Sequence, residues 1–335
     1  MKTLISSDVR LLANLIQEGK VVVFPTETVY GIGASTRLES ACLRVYEIKG
    51  RPKDNPLIAH FHSIESIAAV CELGDVGRAL LERFSPGPLT LILPKKDKSL
   101  FPKELDTLAV RIPKSPVVRE WIELSLGPVS APSANLSGRP SLTKLSDVLR
   151  YFDGVVDGIL IAEEPSFGIE STVVSLVGKT PVLLRPGSIE SNELLKILPD
   201  LWIPGSGSQK ETDSVPLSPG TKYKHYAPTA RVILASKEEF EFSLKTMNES
   251  KSTAWIGFSF EEIELNEGNK LGNLHPIFKS DRFCFVSSNE DYASKLYAFF
   301  EACDFAGIDT IFCEVPKLGK GEEGLRNRLE KAISS

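Results

Sequence analysis

In VVVFPTETVYGIGAST, residues 21–36, three valines and a phenylalanine give way to Pro25, then to hydroxyls, an acid, a tyrosine and two glycines. The first four residues read as a buried strand, because β-branched and aromatic side chains fit a pleated sheet and no polar position interrupts them. The residues after Pro25 admit two readings. Glycines let backbone approach a ligand, and Thr26, Thr28 and Tyr30 supply hydrogen-bonding groups at a strand end. The alternative is a tight turn that caps a sheet.

Working outward, Val9, Leu12 and Ile16 lie at helical spacing, with Ser6 or Ser7 as N-cap and Gly19 as the stop. Downstream the pattern predicts a helix over 38–49 closed by Gly50, a strand over 57–61 and helices over 64–71 and 76–84. Short β-rich runs follow at 89–93, 107–112, 159–162, 171–176 and 182–185. Residues 1–200 are therefore expected to form a mixed α/β domain around a sizeable twisted sheet. Periodicity stops in IPGSGSQKETDSVPLSPGTKYKHYAP, so residues 201–230 read as a linker or an ordered functional loop at a domain boundary. Beyond it, strands at 231–236, 253–258, 282–287 and 309–315 alternate with helices at 237–246, 290–305 and 322–333. That alternation predicts a smaller, mostly parallel, three-layer α/β/α domain of Rossmann-like type over 231–335.

Composition narrows the class. The chain has 335 residues, 42% of them hydrophobic, enough for two cored domains. No uninterrupted apolar run reaches the roughly 18 residues of a membrane span, and acids lie among the apolar residues at the start, so neither a membrane segment nor a signal peptide is expected. Five widely spaced cysteines suit neither a disulfide framework nor a zinc site and point to the cytoplasm. The net charge of −5 falls entirely in the tail: residues 1–230 carry 26 basic and 26 acidic residues, residues 231–335 carry 13 and 18. A protein that grips long nucleic acid normally shows a basic excess, which is missing here.

The usual nucleotide signatures are also missing. GKT at 178–180 lacks the preceding glycine of a P-loop, and GIGAST at 31–36 lacks the third glycine of the dinucleotide fingerprint. Lys49, Arg51 and Lys53 cluster at a helix end in KGRPKDNPLIAH, where they could grip phosphates or merely offset the helix dipole. His60, one strand later, is either structural or catalytic. Arg111, set between Val110 and Ile112 in a strand, must meet a carboxylate, from the protein or from a ligand. SAPSANLSGRPS at 130–141 reads as a loop whose Ser133, Asn135 and Ser141 could bond phosphate or ribose, or as a plain polar loop.

Taken together, FPTETVYGIGA, the Lys49-x-Arg51 and Ser133-x-Asn135 pairs, STVV at 171–174 and RPGSI at 185–189 resemble the YrdC family in order and spacing. The continuation through SPGTKYKHYAP into GEEGLRNRLEKA resembles its long, two-domain form, and the resemblance spans nearly the whole chain. It implies a YrdC-like twisted mixed sheet, and an enzyme that converts L-threonine, bicarbonate and ATP to threonylcarbamoyl-AMP and pyrophosphate. The product would serve threonylcarbamoyladenosine modification of tRNA. Carried over by motif, Thr28, His60, Arg111, Ala131 and Ser171 would line a threonine pocket. Arg51, Asn55, Thr107, Ser133, Ser141, Arg185, His225 and Tyr226 would contact ATP, and Lys49 and Asn135 would complete the two catalytic pairs. Magnesium would accompany ATP without a dedicated protein cage. A threonylcarbamoyl transferase complex would receive the product, with tRNA engaged at most indirectly. His225 and Tyr226 belong to a segment expected to fold over the catalytic mouth. The chain departs from the family at Pro132, where Thr or Ser is usual, which implies a slightly stiffer loop.

Two other classes compete. An RNA-binding module without ATP turnover is disfavoured by the balanced charge of residues 1–230. A carbamoyl-transferring hydrogenase-maturation domain is disfavoured because the cysteine spacing excludes its zinc fingers.

Overall fold

The computed structural model describes residues 2–204, 226–236, 238–239, 252–258 and 282–333. The first domain runs β1 (Leu4–Ser6), α1 (Val9–Gln17), β2 (Val22–Phe24), β3 (Gly31–Ser35), α2 (Glu39–Lys49), β4 (Ile58–His60), α3 (Ile64–Val70), α4 (Gly74–Phe84), β5 (Leu89–Pro94) and β6 (Thr107–Arg111). It continues through α5 (Pro116–Leu124), β7 (Val129–Ala131), α6 (Leu145–Phe152), β8 (Gly158–Leu160), β9 (Thr172–Ser175), β10 (Val182–Arg185) and α7 (Ser191–Leu195). Its ten strands form one mixed sheet in the order β1-β8-β2-β3-β7-β4-β6-β5-β9-β10.

Alternation along β2 explains how this sheet is covered on both faces. Val21 and Val23 pack with Tyr46, Phe152 and Ile159 beneath α2 and α6, whereas Val22 and Phe24 pack with Leu12, Ile16 and Trp121 beneath α1 and α5. Successive strand residues point to opposite faces, so an unbroken apolar run is what a doubly covered strand requires. Each such side chain, fully removed from water, contributes about 1.5–3 kcal/mol. Residues 197–203 still belong to this domain: Ile197, Leu198, Leu201 and Ile203 join the cluster around Leu91 and Val110.

Two local expectations are corrected. The cap of α1 is Asp8, whose carboxylate accepts from the amides of Arg10 at 2.9 Å and Leu11 at 3.3 Å, while Ser6 accepts from the Asp8 amide. A carboxylate there also faces the positive end of the helix dipole, an advantage a serine lacks. The glycines of GIGAS are not a turn: they form β3, antiparallel to β2. A Cβ on Gly33 would stand 2.7 Å from Val129 Cγ1, and one on Gly31 would stand 2.9 Å from the Phe24 ring. Both positions need glycine because neighbours press against the strand, and the connection at 25–30 is left as the turn.

The second domain contains β11 (Arg231–Ala235), β12 (Thr253–Phe258), β13 (Phe283–Val286), α8 (Asn289–Phe305), β14 (Thr310–Glu314) and α9 (Glu322–Ile333). Its four described strands are all parallel, in the order β11-β14-β12-β13. Ile256, Ile311 and Cys313 on one face pack with Leu296, Tyr297, Phe300 and Leu325 from the two helices. Val29 and Ile169 of the first domain join this core. The helix expected over 237–246 falls almost entirely outside the described residues. All five cysteines are free and buried, as small apolar side chains would be.

Candidate active site

Residues at the ends of β4, β6 and β7 border a cavity that is open to solvent. Five separate parts of the first domain build its wall. The β2–β3 connection contributes Thr26, Val29 and Tyr30, the end of α2 contributes Lys49 and Arg51, and β4 and β6 contribute His60 and Arg111. Ala131, Pro132, Ser133 and Asn135 follow β7, and Glu170 and Arg185 close the far side. Tyr226, just beyond the linker, completes the lining.

Backbone pairing fixes the loop after β7. Ile32 donates to the Pro132 carbonyl, Ala134 to that of Tyr30, and Tyr30 to that of Leu142. Pro132 is used here only as an acceptor, so its missing N–H costs nothing. Lys49 locks the loop from the other side, its ammonium donating to the Ser133 carbonyl at 2.5 Å, to Asn135 Oδ1 at 3.2 Å and to the Asn135 carbonyl. Ser133 Oγ donates to Asn135 Oδ1 at 2.6 Å, and Asn135 Nδ2 donates to the carbonyls of Leu136 and Arg139. Lys49 of the first pair singled out in the sequence thus joins both members of the second in one network.

Burial weakens the cations' hold on their protons. The Lys49 ammonium is driven well below its ordinary pKa, first by burial and then by the neighbouring Arg51 charge. Burial pushes Arg51 down to about 10. Its guanidinium is oriented by the carbonyls of Asn55 at 3.0 Å and Pro56 at 3.2 Å. Arg185 is lowered by burial too; it donates to the carbonyl and hydroxyl of Ser171 and to Tyr226. A buried cation that loses hydration gains most from an anion placed beside it. His60 is pushed down to about 3 by burial and by Arg111, so its ring is neutral; Nδ1 faces the Ile58 carbonyl at 3.0 Å. Such a ring is a poor base, and its place here is as a neutral polar wall.

Arg111 answers the question its strand posed. Its Nη2 donates to Glu27 Oε1 at 2.7 Å, with both side chains 5% exposed. The carboxylate that pairs with it is therefore the protein's own, 84 residues away in sequence. Arg111 Nε is buried without a hydrogen-bond partner among the described residues, so a donor remains on the guanidinium for a ligand.

Several expected site residues stand behind the lining. Thr28 is fully buried with its hydroxyl 2.8 Å from that of Thr26. Ser171 is fully buried against Thr90 and Arg185, and Asn55 uses its carbonyl to orient Arg51. Ser141 donates to Glu170 Oε1 at 2.5 Å and reaches the cavity through that carboxylate. Thr107 opens β6, opposite Pro94, four residues and about 13 Å from Arg111, and the structure does not bring it to the lining. His225 lies outside the described residues.

Glu27 and Glu170 were not singled out from the sequence. Either could have been: an acid between buried residues must be paired, as the argument for Arg111 already required. Glu170 is held near pKa 2; burial raises it, but the charges of Arg328 and Arg185 and the Ser141 hydroxyl outweigh that.

The cavity therefore offers three buried cations, Lys49, Arg111 and Arg185, the half-buried Arg51, a neutral histidine and hydroxyl and amide groups, an arrangement suited to a polyanion next to a second carboxylate-bearing molecule. Comparison with known proteins gives the family. A protein from Bacillus subtilis named threonylcarbamoyl-AMP synthase is 44% identical over 96% of this chain and 91% of its own length. One of the same name from Pyrococcus abyssi is 38% identical over 97% of this chain and 93% of its own. The crystal structure of P. abyssi Sua5 complexed with L-threonine matches 99% of this chain and 97% of its own, with a TM-score of 0.84 at 35% identity. The Sua5, YciO and YrdC family model, described as telomere recombination, matches residues 14–187, and a threonylcarbamoyl-AMP synthase C-terminal domain matches 189–334. The chain belongs to the Sua5/YciO/YrdC family, in its long two-domain form.

Proposed function

We propose that this chain is an L-threonylcarbamoyladenylate synthase, a nucleotidyltransferase that joins L-threonine, bicarbonate and ATP into threonylcarbamoyl-AMP and releases pyrophosphate. The supporting observation is the gathering of Lys49, Arg51, Arg111 and Arg185 on one cavity, in a chain whose near-full-length relatives carry that enzyme's name. Arg111, with its unpartnered Nε, takes the amino-acid carboxylate, and His60 and Ala131 wall that end. Thr28 and Ser171 act from behind the wall, on Thr26 and Arg185. Arg51, Ser133 and Arg185 face the nucleotide, with Asn55 and Ser141 bracing them, while Lys49 and Asn135 hold the loop in shape. His225 would meet the outer part of the nucleotide.

Threonine nitrogen and bicarbonate give a carbamate with loss of water, and a carbamate oxygen then attacks the α-phosphorus while pyrophosphate leaves. The protein's task is to align three polar reactants and to offset phosphate charge with groups already fixed in place. Magnesium enters with ATP. Phosphates and water would supply most of its ligands. The lid expected over 218–228, which would shield a labile carbamate, lies outside the described residues except for 226–228, of which Tyr226, 4% exposed, lines the cavity. The product passes to a threonylcarbamoyl transferase complex acting on tRNA in the cytoplasm, with tRNA engaged by this chain at most indirectly. Measuring pyrophosphate while omitting ATP, threonine and bicarbonate in turn tests the reading. Release should need all three; turnover of ATP that ignores threonine would sink it.

A further inference from the structure

Glu170 poses an electrostatic problem. It lines the cavity, yet a cavity that receives a polyanion should carry no bare carboxylate. The second domain supplies the answer. Arg328 on α9, 0% exposed, donates from Nε to Glu170 Oε2 at 2.7 Å, and Tyr297 on α8 donates to the same oxygen at 3.1 Å. The same guanidinium reaches the Glu170 carbonyl at 3.2 Å and the Pro186 carbonyl at 3.0 Å, and so ties together the two loops that carry Glu170 and Arg185. With Arg328 and Tyr297 on one oxygen and Ser141 on the other, both oxygens of the Glu170 carboxylate are occupied.

Close backbone packing holds this arrangement in register. A Cβ on Gly324 of α9 would fall 2.5 Å from the Gly187 carbonyl oxygen, and one on Gly168 would fall 2.3 Å from the Ala293 carbonyl oxygen of α8. Both helices thus lie directly against the loops flanking Glu170. Tyr226 is held by the same pair, stacked on Tyr297 at 5.8 Å with the Arg328 guanidinium 5.2 Å from its ring.

We propose that Arg328 is a positioning residue for the nucleotide end of the site: by neutralising Glu170 from the second domain, it lets the cavity accept a polyanion and leaves Arg185 to that anion. The second domain is then an integral part of the active site. This rests on the synthase reading above, and wild-type pyrophosphate release tests that reading separately.

The experiment compares Arg328→Met, Glu170→Gln and the double variant in the full chain, measuring KM for ATP, KM for threonine and the unfolding midpoint. R328M leaves a buried anion facing the phosphates and should raise KM for ATP at least fivefold, with KM for zwitterionic threonine changing less than threefold. The double variant removes the anion as well and should restore KM for ATP toward the wild-type value. A smaller rise for R328M, an equal rise for both substrates, or a double variant no better than R328M overturns the proposal. Should R328M fail to fold, R328K decides: it keeps a positive charge beside Glu170 and should hold KM for ATP within threefold of wild type, and a larger rise at an unchanged unfolding midpoint overturns the proposal. Absence of pyrophosphate release from the wild type would instead remove the synthase reading itself.

Discussion

Replacing Glu27 by alanine isolates the most deeply buried ion pair of the first domain. In the native chain Glu27 Oε1 sits 2.7 Å from Arg111 Nη2, both side chains are 5% exposed, and Oε2 accepts from the Lys114 amide at 2.9 Å. The guanidinium of Arg111 has no other hydrogen-bonding partner among the described residues. Deleting the acid leaves a buried, uncompensated cation, which costs about 3–5 kcal/mol; the Lys114 amide adds little, since water reaches that exposed residue. At roughly 2–4 °C per kcal/mol for a domain of about 200 residues, scanning calorimetry should show the first domain's transition lowered by about 6–20 °C. The pH dependence has a definite sign. Burial raises the Glu27 pKa, but the Arg111 charge and the Lys114 amide outweigh it, so the folded value lies below the ordinary 4.5. Its stabilisation is therefore present above that value and is lost as pH falls through the lower folded pKa, so the gap between wild type and E27A should narrow in acid. A loss under 1 kcal/mol at pH 7, or a gap that widens in acid, would refute the account of Arg111 as a paired strand cation.

Three further outcomes are expected. Lys49→Met leaves the Ser133 and Asn135 carbonyls without their shared donor, at about 1–3 kcal/mol for each buried group left unsatisfied, and should lower kcat/KM at least 100-fold in the pyrophosphate assay. Glu301, raised to about 7 by burial at the domain junction, is 2.9 Å from the Tyr151 hydroxyl; folding then takes up a proton between about pH 4.5 and 7, so stability falls as pH rises through 7. Glu301→Gln should flatten that fall and raise the melting temperature at pH 8 by the equivalent of about 3 kcal/mol, read from melts at several pH values. Gly324→Ala gains about 1 kcal/mol of helix propensity but forces a 2.5 Å contact on the Gly187 carbonyl, and overpacking of that kind costs about 1–3 kcal/mol. Its net effect on the melting temperature should be small, while ATP turnover drops as α9 is displaced from the loop at 185–187.

What the sequence made legible follows from the range of the interactions involved. VVVF, LTLIL and the tail strands announce themselves because sheet burial acts on neighbouring positions, and the linker announces itself by losing periodicity. β3 stayed hidden because glycine carries no apolar signal, and its reason for being there is the Phe24 ring and Val129, which only the fold brings near. The same limit governs the site. Lys49, Arg51, Ser133 and Asn135 could be picked out as motifs and do converge, but the partner of Arg111 lies 84 residues away and that of Glu170 lies 158 residues away. Charge pairing over such spans is fixed by topology. Ser141, Thr28 and Ser171 show the complementary effect: a motif identifies residues near a ligand without separating those that touch it from those that hold the wall upright.

The seam between the two halves has a consequence for anyone who trims this protein. Cutting the chain after residue 204, where the first domain's core ends, would leave Glu170 with only Ser141 of its three side-chain donors and Arg185 as a remaining cation that acts on it. A fragment of that kind would close on itself, a salt link standing where its substrate should bind, and could be folded, soluble and inert.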